Sequence, residues 1–418
     1  MAPRSLAALV GAVGALTGCM LFAGGPGPQE RGLAAASPAP SASPDPGVSL
    51  LPAGSSDGPI LARPRNGGRL EVDLAATAGR RDVVLSLIGP DLAYTRAEAG
   101  TKVVFHSLAT GSYLLLAEGE SRPSARRSVE IKELRATVSV AVDLPAEAAV
   151  VSGIVRDAQG KPLAGARVGN GATWRLTGAD GQYAIAASPL EVHKTGFATA
   201  TASGGDVRLA ARPLFVSFEN DPFGADRSTA FKSAANRMRA LGWTVGNNLE
   251  TADVRVVAAP AATIGTSADA LGRFVRDGGK LVVTGDWGGA GAFSPSALNK
   301  VLLPLGAAIG QDLIRHAGSS PEWLRLAPEQ LAAGLAQDVR AVLLPWSATT
   351  WAVPPFQDLA GAPGGSYRVQ AAAARAVVSA RAVGPGLVVV VGDTSAWLDP
   401  DGISREDNAR FFENVLRH

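Results

Sequence analysis

Short runs with a two-residue apolar period recur from Gly67 to Leu144, among them Leu70-Glu71-Val72-Asp73-Leu74, Val83-Val84-Leu85-Ser86-Leu87 and Val138-Ser139-Val140-Ala141-Val142. Such alternation, broken by Gly, Pro and Asp turns, predicts an antiparallel β-sandwich over residues 67–148. A second set of short strands follows over 149–212. There Gln159-Gly160 is placed to turn one hairpin and Asp180-Gly181 another, and Pro162 limits pairing at an edge. From Pro213 the period changes. Leu214–Phe218, Val254–Ala258 and Lys280–Thr284 are continuous apolar runs, the pattern of strands buried on both faces. Between them, Ser228–Leu241 carries Phe231, Ala234, Met238 and Leu241 on one helical stripe, and Ser267 is placed to cap a helix facing inward through Leu271, Phe274 and Val275. Strand alternating with helix predicts a mostly parallel sheet covered on both sides over 213–418. Ala376–Val383 and Leu387–Val391 form a hairpin around Gly384-Pro385-Gly386, and Asn408–Leu416 makes a last helix.

The N-terminal pattern is different in kind. Met1–Arg4 supply a short positive start, and Ser5–Leu16 are almost wholly apolar and small. That stretch is too short to span a bilayer, which takes about 20 apolar residues, and matches the roughly 7–15 residues of a secretory core. Residues 1–18 are therefore expected to be a signal peptide. Residues 19–66 are dominated by Pro, Ala, Gly and Ser and cannot bury enough apolar surface to offset the entropy of ordering, so a tether is expected there.

Composition narrows the partners. Lys and Arg total 39 against 37 Asp and Glu, a net charge of +2 that is spread evenly, so the clustered basic footprint of a nucleic-acid binder is missing. Cys19 is the only cysteine, which rules out an internal disulfide or a four-cysteine zinc site.

Several segments resemble known families. Leu16-Thr17-Gly18-Cys19 resembles the lipobox of bacterial lipoproteins, which implies cleavage before Cys19, a lipid on its sulfur and a membrane partner. With Met20 after the cysteine, the resemblance favours the outer membrane in a Gram-negative host. Leu108-Ala109-Thr110-Gly111-Ser112-Tyr113 resembles the corner of prealbumin-like and Cna-B-like sandwiches, with Gly at the tight turn and Tyr packed on the edge. Gly153–Val168, Thr177–Tyr183 and Val192–Phe197 together are similar to a carboxypeptidase regulatory-like, transthyretin-like module, which implies a seven-strand sandwich with no catalytic residues. Phe274–Thr284, Leu298–Gly306 and Gly386–Asp393 with Asn414 are similar to GldG-like, class I glutamine-amidotransferase-like domains. The fold class expected on these grounds is multidomain: two antiparallel β-sandwiches followed by a flavodoxin-like α/β three-layer domain.

A glutaminase of that fold requires a cysteine on a tight strand-to-helix turn. The turn here is Gly285-Asp286-Trp287-Gly288-Gly289, without one, so catalytic residues are expected to be none. Four histidines, His106, His193, His316 and His418, lie far apart without zinc-ligand spacing, and no cofactor or metal is expected. Asp399-Pro400-Asp401-Gly402 resembles the start of a calcium loop, but the twelfth position is Arg410, so a turn is expected. What remains is a set of acids after the strands: Glu219, Asp221, Asp286 and Asp393. Carboxyl ends of strands in an open α/β sheet form the usual ligand crevice, so these four are candidate ligand-binding residues, set against the alternative that they cap helices and turns. Trp346 and Trp351 are candidate stacking faces for a saccharide, with buried packing as the alternative.

The function expected is a non-catalytic cell-envelope lipoprotein, exported and lipid-anchored, that displays a binding or scaffolding module for an envelope protein or glycan. Two alternatives stay open: an envelope hydrolase using the strand-end carboxylates, and an accessory subunit of an export or motility transporter. Replacing Cys19 by Ser is expected to abolish incorporation of labelled palmitate and to release the protein from the membrane fraction; a variant that keeps both would sink the anchor.

Overall fold

The structure is a computed structural model, and it describes residues 66–418 apart from short internal segments, the longest being 220–230 and 362–375. The signal-peptide, Cys19 and tether expectations therefore lie outside the described residues. Among the described residues, no helix is long and apolar enough to cross a membrane.

The first seven strands are β1 (Gly68–Leu74), β2 (Asp82–Ile88), β3 (Leu92–Glu98), β4 (Lys102–Leu108), β5 (Gly111–Gly119), β6 (Arg122–Ile131) and β7 (Thr137–Val142). They make two sheets, in the orders β4-β1-β7 and β3-β2-β5-β6. Alternate residues Leu70, Val72, Leu85, Leu87, Val103, Phe105 and Leu115 fill the space between the sheets, as the two-residue period requires. At the Leu108–Tyr113 corner Gly111 has φ 141°, and Pro90 occupies the place of a β-carbon there, 2.7 Å away. The buried Tyr113 hydroxyl sits 2.9 Å from Ala109 O and 3.1 Å from Asp91 Oδ2.

The next seven are β8 (Val151–Asp157), β9 (Arg167–Asn170), β10 (Thr173–Leu176), β11 (Gln182–Ile185), β12 (Leu190–His193), β13 (Ala200–Ala202) and β14 (Val207–Leu209). Their sheets run β10-β9-β12-β13 and β11-β8-β14, around Val155, Val168, Tyr183, Ile185, Leu190 and Val192. Gly181 takes φ 73°, and a β-carbon on it would lie 2.6 Å from Val155 O, so this turn requires glycine. Both pairs of sheets depart from the purely antiparallel expectation. β1 with β7 and β8 with β14 pair in parallel, because in each case the chain crosses between sheets before returning to its starting strand.

The remainder comprises β15 (Phe215–Glu219), α1 (Lys232–Ala240), β16 (Thr244–Asn247), β17 (Val254–Ala258), α2 (Ala268–Arg276), β18 (Lys280–Thr284), α3 (Pro295–Leu302), β19 (Ala307–Ile309), β20 (Leu324–Leu326), α4 (Ala333–Ala336), β21 (Val342–Leu344), β22 (Thr350–Ala352), β23 (Phe356–Gly361), β24 (Ala376–Val383), β25 (Gly386–Val391) and α5 (Asn408–Arg417). Seven strands form one sheet, in the order β16-β15-β17-β18-β25-β24-β23; the first five pair in parallel, and β24 pairs antiparallel with both β25 and β23. Ser267 caps α2 as its position predicts, its Oγ accepting from Ala270 N at 3.1 Å. Val216, Val256, Val282 and Val389 face a core with Met238, Phe411 and Trp397, whereas Val257, Leu281, Val283 and Val390 face Leu271, Val275 and Leu298.

The expected flavodoxin-like three-layer domain is overturned. Strand takes 48% of the described residues and helix only 17%, and the helices are at most ten residues long. Between β18 and β25 the chain carries two small sheets, β19-β22 and β20-β21, where a flavodoxin-like chain would carry crossover helices. The physical reason lies in residues 303–361, where prolines and short apolar triplets interrupt any run long enough to bury a helical stripe.

Buried cross-contacts join these parts. Tyr94 packs on Trp351 at a ring separation of 6.1 Å within a cluster that includes Ile88, Leu92, Leu116 and Val353. Arg175 pairs with Glu118 at 3.2 Å, and Arg167 Nε donates to Pro385 O at 2.5 Å. Replacing Trp351 by Ala is expected to destabilise the fold by about 3–5 kcal/mol, read by denaturant unfolding. A double-mutant cycle with Tyr94→Ala is expected to return a coupling of about 0.5–1.5 kcal/mol.

Candidate functional site

Adjacent parallel strands end together. Thr284 closes β18 opposite Val391, which closes β25, and the two residues beyond each end deliver Asp286 and Asp393 to one place. Gly392 makes this possible: its N–H donates to Val377 O at 2.8 Å, and a β-carbon on it would strike Ala348 O at 2.0 Å. The segment 346–349 thus lies directly over the strand end.

Each carboxyl organises main chain around itself. Asp393 Oδ2 accepts from Trp346 N at 2.7 Å and its Oδ1 from Ala396 N at 2.8 Å. Asp286 Oδ1 accepts from Thr394 N at 3.2 Å, and the Ser395 hydroxyl lies 3.5 Å from both its oxygens. Thr394 Oγ1 donates to Thr284 Oγ1 at 3.1 Å, tying the two strand ends below the carboxyls. Neighbouring Asp312 Oδ1 accepts from Thr349 N and Thr349 Oγ1, fixing the far end of the covering segment.

Both acids are buried. Burial raises the Asp393 carboxyl to about 7, against the donors on Trp346 and Ala396 that favour its anion. Asp286 is raised well above the usual carboxylate range, first by burial and then by the like charge of Asp393. Near neutral pH the pair therefore holds a proton, and a neutral carboxyl is a hydrogen-bond donor as well as an acceptor.

The six candidates separate. Asp286 and Asp393 come together. Glu219 does not join them: it ends β15 two strands away, accepts from Ser217 Oγ at 2.8 Å and lies 3.7 Å from Arg255. Its register partner Val257 belongs to the face covered by α2 and α3, whereas Thr284 and Val391 point to the other. Asp221 lies outside the described residues, as do Asp399 and Asp401 of the turn expected after Leu398. Trp351 is buried between β3 and the C-terminal part and offers no stacking face. Trp346 is 44% exposed at the rim of the carboxyl pair, held there by its own N–H on Asp393. Thr284, Thr394 and Ser395 complete the site; no sequence spacing marks them, because they meet only when β18 and β25 pair. Among the described residues no group of three or more His, Cys, Asp or Glu side chains is placed to hold a metal ion.

No protein-family model matches the chain, and no curated protein matches it. Among solved structures it is similar to the mmIFT52 N-terminal domain, at 16% identity and a TM-score of 0.39, covering 48% of this chain and 95% of that one. It is also similar to the cytoplasmic protein STM1381 from Salmonella typhimurium LT2, at 15% identity and a TM-score of 0.35 over 49% and 98%. The β-galactosidase from Rahnella sp. R3 is matched at 15% identity and a TM-score of 0.30, the likeness spanning 31% of that enzyme. Likenesses this distant carry no argument about activity. The fold itself is β-rich with sandwich-like sheets.

The raised carboxyls set a pH dependence. An unfolded Asp releases its proton near pH 4, whereas folded Asp393 keeps its own up to about 7, so its contribution to stability is full below pH 4 and is lost as pH rises through 7. Asp393→Asn, which leaves one acceptor for two N–H groups, is expected to be less stable by about 1–3 kcal/mol at pH 4. The gap to the wild type should then narrow by pH 8 in denaturant unfolding; a gap constant with pH would show an ordinary carboxyl.

Proposed function

We propose that this chain is a non-catalytic, lipid-anchored envelope protein that presents a saccharide-binding rim at the ends of β18 and β25. The observation that carries the reading is Trp346: a tryptophan that is 44% exposed while its own backbone N–H is pinned to a buried carboxyl. A rigid aromatic plane beside polar groups is the combination that binds sugar rings, through stacking and a few oriented hydrogen bonds. The Asp pair acts as the frame of this rim, since its oxygens are engaged with main-chain donors at Trp346 and along residues 394–396. The resemblance of residues 16–19 to a lipobox supports display from a membrane through Cys19, with residues 19–66 as the tether.

One observation favours a second reading. Two neighbouring buried carboxyls, both raised by burial and one also by the like charge of the other, are the electrostatic preparation of a general acid, and this supports the envelope-hydrolase alternative.

Glycan-array binding and affinity capture with the wild type, Trp346→Ala and Asp286→Asn separate the two. The binding reading expects Trp346→Ala to lose about tenfold or more in affinity, or about 1.4 kcal/mol, and Asp286→Asn to keep the affinity within a few fold. Turnover of a bound glycan that disappears in Asp286→Asn would establish the hydrolase instead. Unchanged binding in Trp346→Ala would remove the rim from consideration.

A further inference from the structure

We infer that the rim around Trp346 is selective for acidic saccharides and that Arg405 is the residue that takes the sugar carboxylate; the inference rests on the saccharide reading of this rim. Strand pairing brings two further side chains to it. β20 and β21 pair antiparallel, with Leu324 opposite Leu344. Trp323 immediately precedes Leu324, and Trp346 lies two residues beyond Leu344, so both tryptophans leave the same end of this ladder. At about 3.3 Å per residue their backbones are on the order of 10 Å apart. Arg405 lies over the Trp323 ring, its Cζ 4.2 Å from the ring centroid. Trp323 is half-buried and Arg405 is exposed.

Arg405 is held by its own main chain. Its N–H donates to Gly402 O at 3.2 Å and its carbonyl accepts from Asn408 N at 3.0 Å. Glu406 then turns the chain at φ 44°, a left-handed conformation uncommon outside glycine. Asn408 ties this turn to the strand that leads to Trp346: its Nδ2 donates to Gly402 O and Leu343 O, both at 2.9 Å, and its Oδ1 accepts from Leu343 N at 2.9 Å. A positioned guanidinium beside an exposed tryptophan adds little for a neutral sugar and much for an acidic one. Its five N–H donors outnumber what one ring contact or one acceptor can use, and its fork matches a planar carboxylate through two charge-assisted bonds. The surrounding charges also favour an anion. Arg325 and Glu406 lie 3.5 Å apart, so with Arg405 this surface has two arginines against one glutamate, a net +1. The aspartates of the rim are buried, and burial raises Asp393 to about 7 and Asp286 well above the usual carboxylate range, so below neutral pH they do not repel one.

The test is a glycan array at pH 6 on which glycans bearing a uronic or sialic acid are each paired with their carboxyl methyl ester. That pH lies below the value of about 7 for Asp393 and above that of an ordinary carboxylic acid. The full chain is expected to prefer acids over esters by about tenfold or more, with the preference shrinking as salt is added. Arg405→Gln is expected to bind acid and ester alike, at the wild-type affinity for the ester, which also reports an intact rim. Should that variant lose the esters too, Arg405→Lys decides, since it keeps a cation at the position without the fork: a preference several-fold smaller with ester binding retained supports the inference, and an unchanged preference overturns it. Wild-type binding of esters as tightly as acids, or an acid preference that survives Arg405→Gln, overturns the inference and leaves the saccharide rim standing. Binding to no glycan, or binding that Trp346→Ala does not weaken, removes the rim itself and the inference with it.

Discussion

The pairing of β18 with β25 is the constraint on which the rest of the structure depends. Leu281, Val282, Val283, Leu387, Val388, Val389, Val390 and Val391 are all fully buried, so this strand pair presents apolar side chains on both faces at once. At about 25 cal/mol per Å² of apolar surface, leaving either face in water would cost more than a marginally stable fold can bear. One face is closed by α1, α5 and Trp397, and the other by α2 and α3. Short strands supply the remaining cover, since the connections between the long strands hold few residues in helix.

The same pair carries opposite electrostatic problems at its two ends. β18 begins with a buried lysine and is followed by a buried aspartate, about 20 Å further along at roughly 3.3 Å per residue. At the carboxyl end two acids crowd each other and retain a proton. At the amino end cations gather around the last turn of α5, where the helix dipole favours positive charge. Each end solves its problem locally with main-chain groups: N–H donors serve Asp286 and Asp393, and carbonyl acceptors serve Lys194 and Lys280. The seven-stranded sheet is thereby joined to β8–β14 at one end and carries a buried carboxyl pair beside the exposed Trp346 at the other.

Much of the local structure was legible because it rests on local physics. The two-residue period located β1, β2 and β7, the cap at Ser267 located α2, and Gly384-Pro385-Gly386 located the turn between β24 and β25. The failures have a common origin. Helical cover like that of flavodoxin was expected from the alternation near 213–284, yet 303–361 breaks into short strands whose partners lie far off in sequence. Glu219, Asp286 and Asp393 look alike as acids after strands; strand order puts two of them side by side and leaves the third against Arg255. Trp346 and Trp351 are five residues apart, and only the docking of Tyr94 buries one while the other stays at the surface.

By itself, then, the amino-acid order determined many of the strands, helices and turns outside residues 303–361, since propensity, capping and periodicity act within a few residues. It also determined the even charge balance and the single cysteine that limit what chemistry is available. Only the tertiary structure decided which carboxyls are raised by burial and by each other, which tryptophan is exposed and where the buried cations collect. Those outcomes turn on desolvation and on distances of a few ångströms between residues as far apart as Arg167 and Pro385, or Asp286 and Thr394, and such distances exist only once β18 and β25 have paired.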